Sequence, residues 1–179
     1  MADRVAGALD SDALWRFSLA FYAAPGVAEA LITLQDQEGL DVNQMLFALW
    51  FGLSGRGRLD RNALSGAERA VRTIRTEVVE QLRLLRRGLR NHPDRDVQRL
   101  RENVKALELA GEKVVQTRLA RFAGTVRVEA SPLERRLADA HANFELYVGP
   151  QRATRGTARI ICDALAAFAQ RETSDGPDV

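Results

Sequence analysis

Apolar and polar positions recur along this chain with a helix's period, and no alternation of period two is sustained. Ser11 or Asp12 can cap a first helix, whose Leu14, Trp15, Phe17, Leu19, Phe21 and Tyr22 cover most of its circumference. Such a helix is expected to be largely buried. Pro25 and Gly26 break the chain, and a second helix sets Val27, Ala30, Leu31 and Leu34 on one face and ends near Glu38. The third, residues 42–54, carries Met45, Leu46, Phe47, Leu49, Trp50, Phe51 and Leu53 on every side. It is expected to be the central rod of the core, with each large buried side chain contributing about 1.5 to 3 kcal/mol.

The joint between the second and third helices, "LQDQEGLDVN", is crowded with side-chain oxygens. Gly39 stands where a helix end wants positive φ, and Asp41 followed by Gln44 has the spacing of a capping box. These two residues therefore read as punctuation. A calcium loop needs D-x-D-x-D-G closed by a glutamate at its twelfth position, and that pattern is absent. Gln35, Asp36 and Asn43 lack so direct a local task. Together with Tyr22 and Trp50 they form a candidate pocket.

Residues 55–66, "GRGRLDRNALSG", have no apolar period and read as a linker or exposed loop. Beyond them Val71, Ile74, Val78, Leu82, Leu85 and Leu89 form a narrow stripe on one long helix, which "NHPD" at 91–94 stops. Val97, Leu100, Val104, Leu107, Gly111 and Val114 continue the rhythm on the next, so 67–127 reads as a long antiparallel αα-hairpin. A further helix follows Ser131 and Pro132 and carries His141 on its apolar stripe, where a buried, hydrogen-bonded histidine is the expectation. A last one runs over about 154–171. The expected fold is all-α: one domain over 1–172 with about six helices, a three-helix core at 11–54, the hairpin, two C-terminal helices at 132–171, and a disordered tail at 173–179.

Charge changes this picture through its placement. The 179 residues carry a net charge of only +2, but residues 1–55 hold two basic and seven acidic side chains, whereas 56–90 hold ten and four. The densest basic stretch is "RLLRRGLR", where Arg83, Arg86, Arg87 and Arg90 lie away from the leucine stripe with Glu80 as the nearby acid. It is a candidate docking face for phosphates or an acidic protein surface. Aromatic interleaving, expected of a single-strand binder, is missing there.

Catalytic patterns are sparse. His92 and His141 are the only histidines, Cys162 the only cysteine, and neither a G-x-S-x-G elbow nor a G-x-x-x-x-G-K-[ST] loop occurs. The case for an enzyme is thin, and no metal or cofactor is expected. One cysteine excludes an intrachain disulfide, and the first 20 residues lack the pattern of a signal peptide. The longest uncharged run, 42–55, is shorter than the roughly 20 residues of a membrane span. A cytoplasmic protein is the resulting expectation.

Residues 14–50 resemble the signature of a proteobacterial family of hypothetical proteins known only as a domain of unknown function. That signature runs W-x-F-[AS]-L-x-x-Y-x-x-P-G-V, then L-Q-D-x-x-G-x-D-V-N, then an apolar run ending in LW. Trp15, Phe17, Leu19, Tyr22, Pro25, Gly26, Val27, Leu34, Gln35, Asp36, Gly39, Asp41, Val42, Asn43 and Trp50 fit it. The resemblance implies a bacterial, helical, cytoplasmic protein and brings no reaction, substrate or cofactor.

Three functional expectations follow in order. The first is a non-enzymatic interaction or regulatory module that binds a protein partner or itself through the arginine face. The second is a small enzyme or ligand-binding protein with a pocket at the helix 2 to helix 3 turn. Nucleic-acid binding through Arg83 to Arg90 ranks third.

Overall fold

The structure, a computed structural model, describes residues 10–153 and 156–174. Every regular element among them is helical, with no strand. In chain order these are α1 (Ala13–Tyr22), α2 (Val27–Glu38) and α3 (Val42–Phe51), then a π-helical turn at Gly52–Arg56. Next come α4 (Arg61–Ile74), a second π turn (Arg75–Val79), α5 (Glu80–Gly88) and α6 (Arg95–Ala123). The chain then forms α7 (Leu133–Val148), the short α8 (Pro150–Ala153) and α9 (Gly156–Ser174). These are more elements than the six or so expected, in part because a π turn divides the long helix before residue 89 and α8 precedes the last. Of the expected tail, 173 and 174 belong to α9 and the rest lies outside the described residues.

α3 is the wall shared by two apolar clusters, and every residue from Asn43 to Phe51 is buried. On one side Met45, Leu46 and Leu49 pack with Phe21, Leu31, Phe144, Ile161 and Leu165. On the other, Phe47 and Phe51 pack with Leu14, Val71, Val115 and Leu119. The first three helices are thus central, but α6, α7 and α9 complete the core. Among the described residues no single helix is long and apolar enough to cross a membrane.

The expected linker at 55–66 is corrected. Gly55 accepts the Glu129 amide at 2.9 Å, Asn143 accepts from the Leu59 N–H at 2.7 Å and donates to the Gly57 carbonyl at 3.0 Å, and Leu59 is buried. Asp60 then caps α4 by accepting from the Ala63 N–H at 2.7 Å. The lack of apolar period reflects a segment pinned through its backbone, which side-chain patterning does not reveal.

The start of α3 keeps the expected Gly39 turn and Asp41 cap, but the capping box is not completed, because the Gln44 side chain makes no hydrogen bond among the described residues. Gly39 has φ 67°, and the Asp41 carboxylate accepts from the Gln44 N–H at 3.0 Å. The Asp41 N–H in turn donates to the Tyr147 hydroxyl of α7 at 2.9 Å, tying the joint to the far side of the domain. Burial pushes that phenol up to about 12, so it stays a protonated hydroxyl. The chain turns at 89–94, where the Gln98 amide donates to the carbonyls of Leu89 and His92, and α6 packs back along α5.

Candidate functional site

α1, the end of α2, the start of α3, α5 and α6 surround a cavity of about 640 Å³. This lies within the usual range for small-molecule sites, roughly 300 to 1,000 Å³. Each wall comes from one helical face. α1 contributes Trp15, Ser18, Leu19 and Tyr22, at spacings of 3, 1 and 3, while its Leu14 and Phe21 turn into the core. α6 contributes Lys105, Glu108, Leu109, Glu112 and Gln116, again one stripe. Gln35, Asp36, Val42, Asn43 and Leu46 close the side at the α2–α3 joint.

α5 supplies Arg83, Arg86, Arg87 and Arg90. The candidate pocket and the candidate docking face, which the sequence presents as separate features, therefore line a single cavity. Glu80 is not the acid that matters. Arg83 donates from Nε to Glu108 at 3.1 Å and from Nη2 to Glu112 at 2.9 Å, and Arg86 binds Glu108 through both Nε and Nη2. Arg87 donates to Asp36 at 3.0 Å. Arg83 and Arg86 retain only 17% and 21% exposure, so half of the expected face looks inward.

Two carboxylates on one stripe titrate in opposite directions. Burial pushes Glu108 up, but the Arg86 and Arg83 hydrogen bonds outweigh it and hold the carboxyl below its ordinary value. Burial pushes Glu112 up too, and there Arg83 offsets only part, with Glu108 and Asp41 adding to the rise. Burial and the Glu112 charge likewise raise the Tyr22 phenol.

The inner end of the cavity is polar. Asn43, 4% exposed, accepts from the Gln116 amide at 2.8 Å, and Gln116, 3% exposed, leaves Oε1 without a partner. Ser18, 4% exposed, lines the same cavity with an unpartnered hydroxyl. Buried polar atoms left open in this way are costly, about 1–3 kcal/mol each.

At the mouth the cations are freer. Lys105 reaches Glu102 only at 3.9 Å, and Arg90 has no carboxylate paired to it among the described residues. Five cations face three carboxylates around the cavity, an excess of two positive charges.

Trp50 is not part of this site. It lies seven residues beyond Asn43, roughly 10 Å along the helix axis, so the α2–α3 joint is out of its reach. It is buried with the Arg56 guanidinium 4.5 Å over its ring, and it borders a separate cavity of about 540 Å³ with Phe17, Leu53 and Phe168. His141 also departs from expectation: it is half-buried and its Nε2 has no hydrogen-bond partner. The sequence reading missed Ser18, Lys105, Glu108, Glu112 and Gln116. The last four do carry a signal, a polar stripe on α6 at helical spacing beside the apolar one.

Fold and cavity define an all-α domain with a basic, partly apolar cleft between its N-terminal helices and a pair of long neighbours. The chain belongs to the family described as a protein of unknown function (DUF2390), whose model matches residues 13–119. All the residues around the larger cavity, Trp15 to Gln116, fall within that match, whereas Leu133, Arg136, Phe168 and Ala169 of the second cavity fall beyond it. No curated protein and no solved structure matches the chain.

Proposed function

We propose that this protein is a non-enzymatic binding module that takes up a small organic anion in the cleft between α1–α3 and α5–α6. The observation that carries the reading is the excess of cations over carboxylates around an open cleft whose walls include the apolar side chains of Trp15, Leu19, Ile32, Leu46 and Leu109. The unpaired part of that charge is Arg90 and Lys105 at the exposed mouth, so its pull on an anion is screened by salt and binding should weaken as ionic strength rises. No nucleophile paired with a base lines the cavity, which favours binding over turnover.

The test is calorimetric titration of the whole protein with inorganic pyrophosphate at low salt, beside the double variant Arg90→Glu/Lys105→Glu. Both substituted side chains are exposed, so the fold should stay intact. Affinity should fall by about tenfold or more. Unchanged affinity in the variant, or no binding to the parent protein, rejects the reading.

A second reading, docking of a protein partner or a second copy, is favoured by a different observation. Leu100, Leu107 and Val114 recur every seven residues on α6 and are 53%, 59% and 43% exposed. Their spacing sets them on one strip, apart from the stripe that lines the cavity. Sedimentation of the whole protein beside Leu107→Lys would show whether this strip joins copies.

A further inference from the structure

The cavity is graded from end to end. Its α6 stripe runs from Lys105 to Gln116, a separation of eleven positions or about 16 Å of helix axis. Lys105 and Arg90 stand at one end, both on the exposed mouth. At the other end lie the Gln116–Asn43 amide pair and the Ser18 hydroxyl, all nine-tenths buried or more, with Gln116 Oε1 and Ser18 Oγ unpartnered. Between them the walls are Leu46, Leu109 and Leu19, with two half-buried aromatic rings, Trp15 and Tyr22.

Each zone selects a chemistry. The cationic mouth suits a phosphate or diphosphate, which guanidinium groups bind with charge-assisted hydrogen bonds. The middle suits a flat or apolar body, since aromatic and leucine walls gain from stacking and area burial. The inner end suits a group with several hydrogen-bonding atoms on one edge, and a side-chain amide of Asn or Gln can match the edge of a nucleobase.

A long-chain alkyl phosphate satisfies the first two zones but not the third. Its chain end offers no hydrogen-bonding group to Gln116 Oε1 and Ser18 Oγ, which are already buried without a partner, whereas a base edge can supply one. Inorganic phosphate satisfies only the first.

We infer, resting on the anion-binding reading above, that the ligand is a nucleotide: phosphates at Arg90 and Lys105, the base seated inward against Gln116, Asn43 and Ser18. Gln116 is then a specificity-determining residue, and the arginines fix the phosphate end.

The test titrates the whole protein with ADP, GDP, CDP and UDP, and separately with pyrophosphate, ribose 5-phosphate and dodecyl phosphate. At least one nucleoside diphosphate should bind about tenfold or more tighter than pyrophosphate, the weight of one or two buried hydrogen bonds. In Gln116→Met, which keeps the side-chain volume, that advantage should collapse while pyrophosphate affinity changes by less than about threefold. Ser18→Ala, a smaller change at the same end, should lower the tightest nucleotide's affinity in the same direction and keeps the inference testable should Gln116→Met misfold. Dodecyl phosphate or pyrophosphate binding as tightly as every nucleotide overturns the nucleotide while leaving the anion cavity standing. Binding of none of the seven overturns both.

Discussion

Arg87 of α5 donates a hydrogen bond to Asp36 at the end of α2 at 3.0 Å, across 51 positions of sequence. Both side chains are 48% exposed. The contact joins the two regions that the sequence presents as rival sites, and it sets one carboxylate against the cations of the cavity. The Arg87 guanidinium holds Asp36 below the ordinary carboxylate range, so the charge persists at neutral pH. Removing it with Asp36→Ala should leave the urea midpoint nearly unmoved, since exposed pairs contribute little. Pyrophosphate affinity should instead rise by about threefold to tenfold as Arg87 is released. A loss of affinity would make Asp36 a ligand contact rather than a competitor.

Glu108 occupies a different position, 5% exposed between Arg83 and Arg86. Its removal leaves the partly buried Arg86 guanidinium without an acid, beside an Arg83 that keeps only Glu112. Glu108→Ala should therefore destabilise the fold by about 3 kcal/mol, read from urea unfolding, whereas Arg90→Ala should cost almost nothing. Equal effects would mean that the buried pair is no better than a surface one.

Glu112 predicts a pH dependence of specified sign. Its native carboxyl titrates above the ordinary 4.5, so the folded state holds the proton more tightly than the unfolded chain. The stability that this proton contributes is complete below the ordinary value and is lost as pH rises through the raised native one. Glu108, held low, acts in reverse: its contribution is complete above the ordinary 4.5 and is lost as pH falls through its lowered native value. Glu112→Gln should thus remove a decline in stability on the way from mildly acidic to neutral pH, and leave acid unfolding in place. Anion affinity of the parent protein should rise as pH falls through the same window, because a neutral Glu112 adds to the positive excess. Parallel pH profiles for parent and variant would count against Glu112 as the titrating group.

Local rules explain what could be read beforehand. Helical period, Gly39 with positive φ and Asp41 on the Gln44 amide are governed by residues within four positions, and all three stand in the structure. Asp41 is held twice over, by its own cap and by Tyr147, which accounts for it without a ligand. What stayed hidden depends on residues far apart. Arg83 looks solvated when only Glu80 is near in sequence, yet its partners lie 25 and 29 positions onward. Asn43 had no local task because its partner, Gln116, is 73 positions away. Trp50 belongs to the other end of α3 from Asn43, two helical turns away, a separation that a signature read as one string hides.

The glycines provide the sharpest test of how closely the core is built. A Cβ on Gly52 would lie 2.2 Å from the Ala140 backbone nitrogen, where α7 crosses the first π turn. Backbone cannot swing aside as a side chain can, so Gly52→Ala must push the two helices apart and expose part of both apolar clusters. A cost of about 3 kcal/mol or more is expected. At Gly111 the obstacle is the Val79 Cγ2 methyl at 3.0 Å, the end of a side chain that can yield a little, and the cost should be smaller. At Gly39 nothing stands within 4 Å, and the φ of 67° alone opposes a side chain, at about 1 kcal/mol. Urea midpoints for the three alanine variants should fall in the order Gly39, Gly111, Gly52, from least to most destabilised. Should Gly52→Ala prove as mild as Gly39→Ala, α3 and α7 do not cross as tightly as this geometry requires, and the wall that carries Asn43 and Leu46 is too loose to shape the cavity.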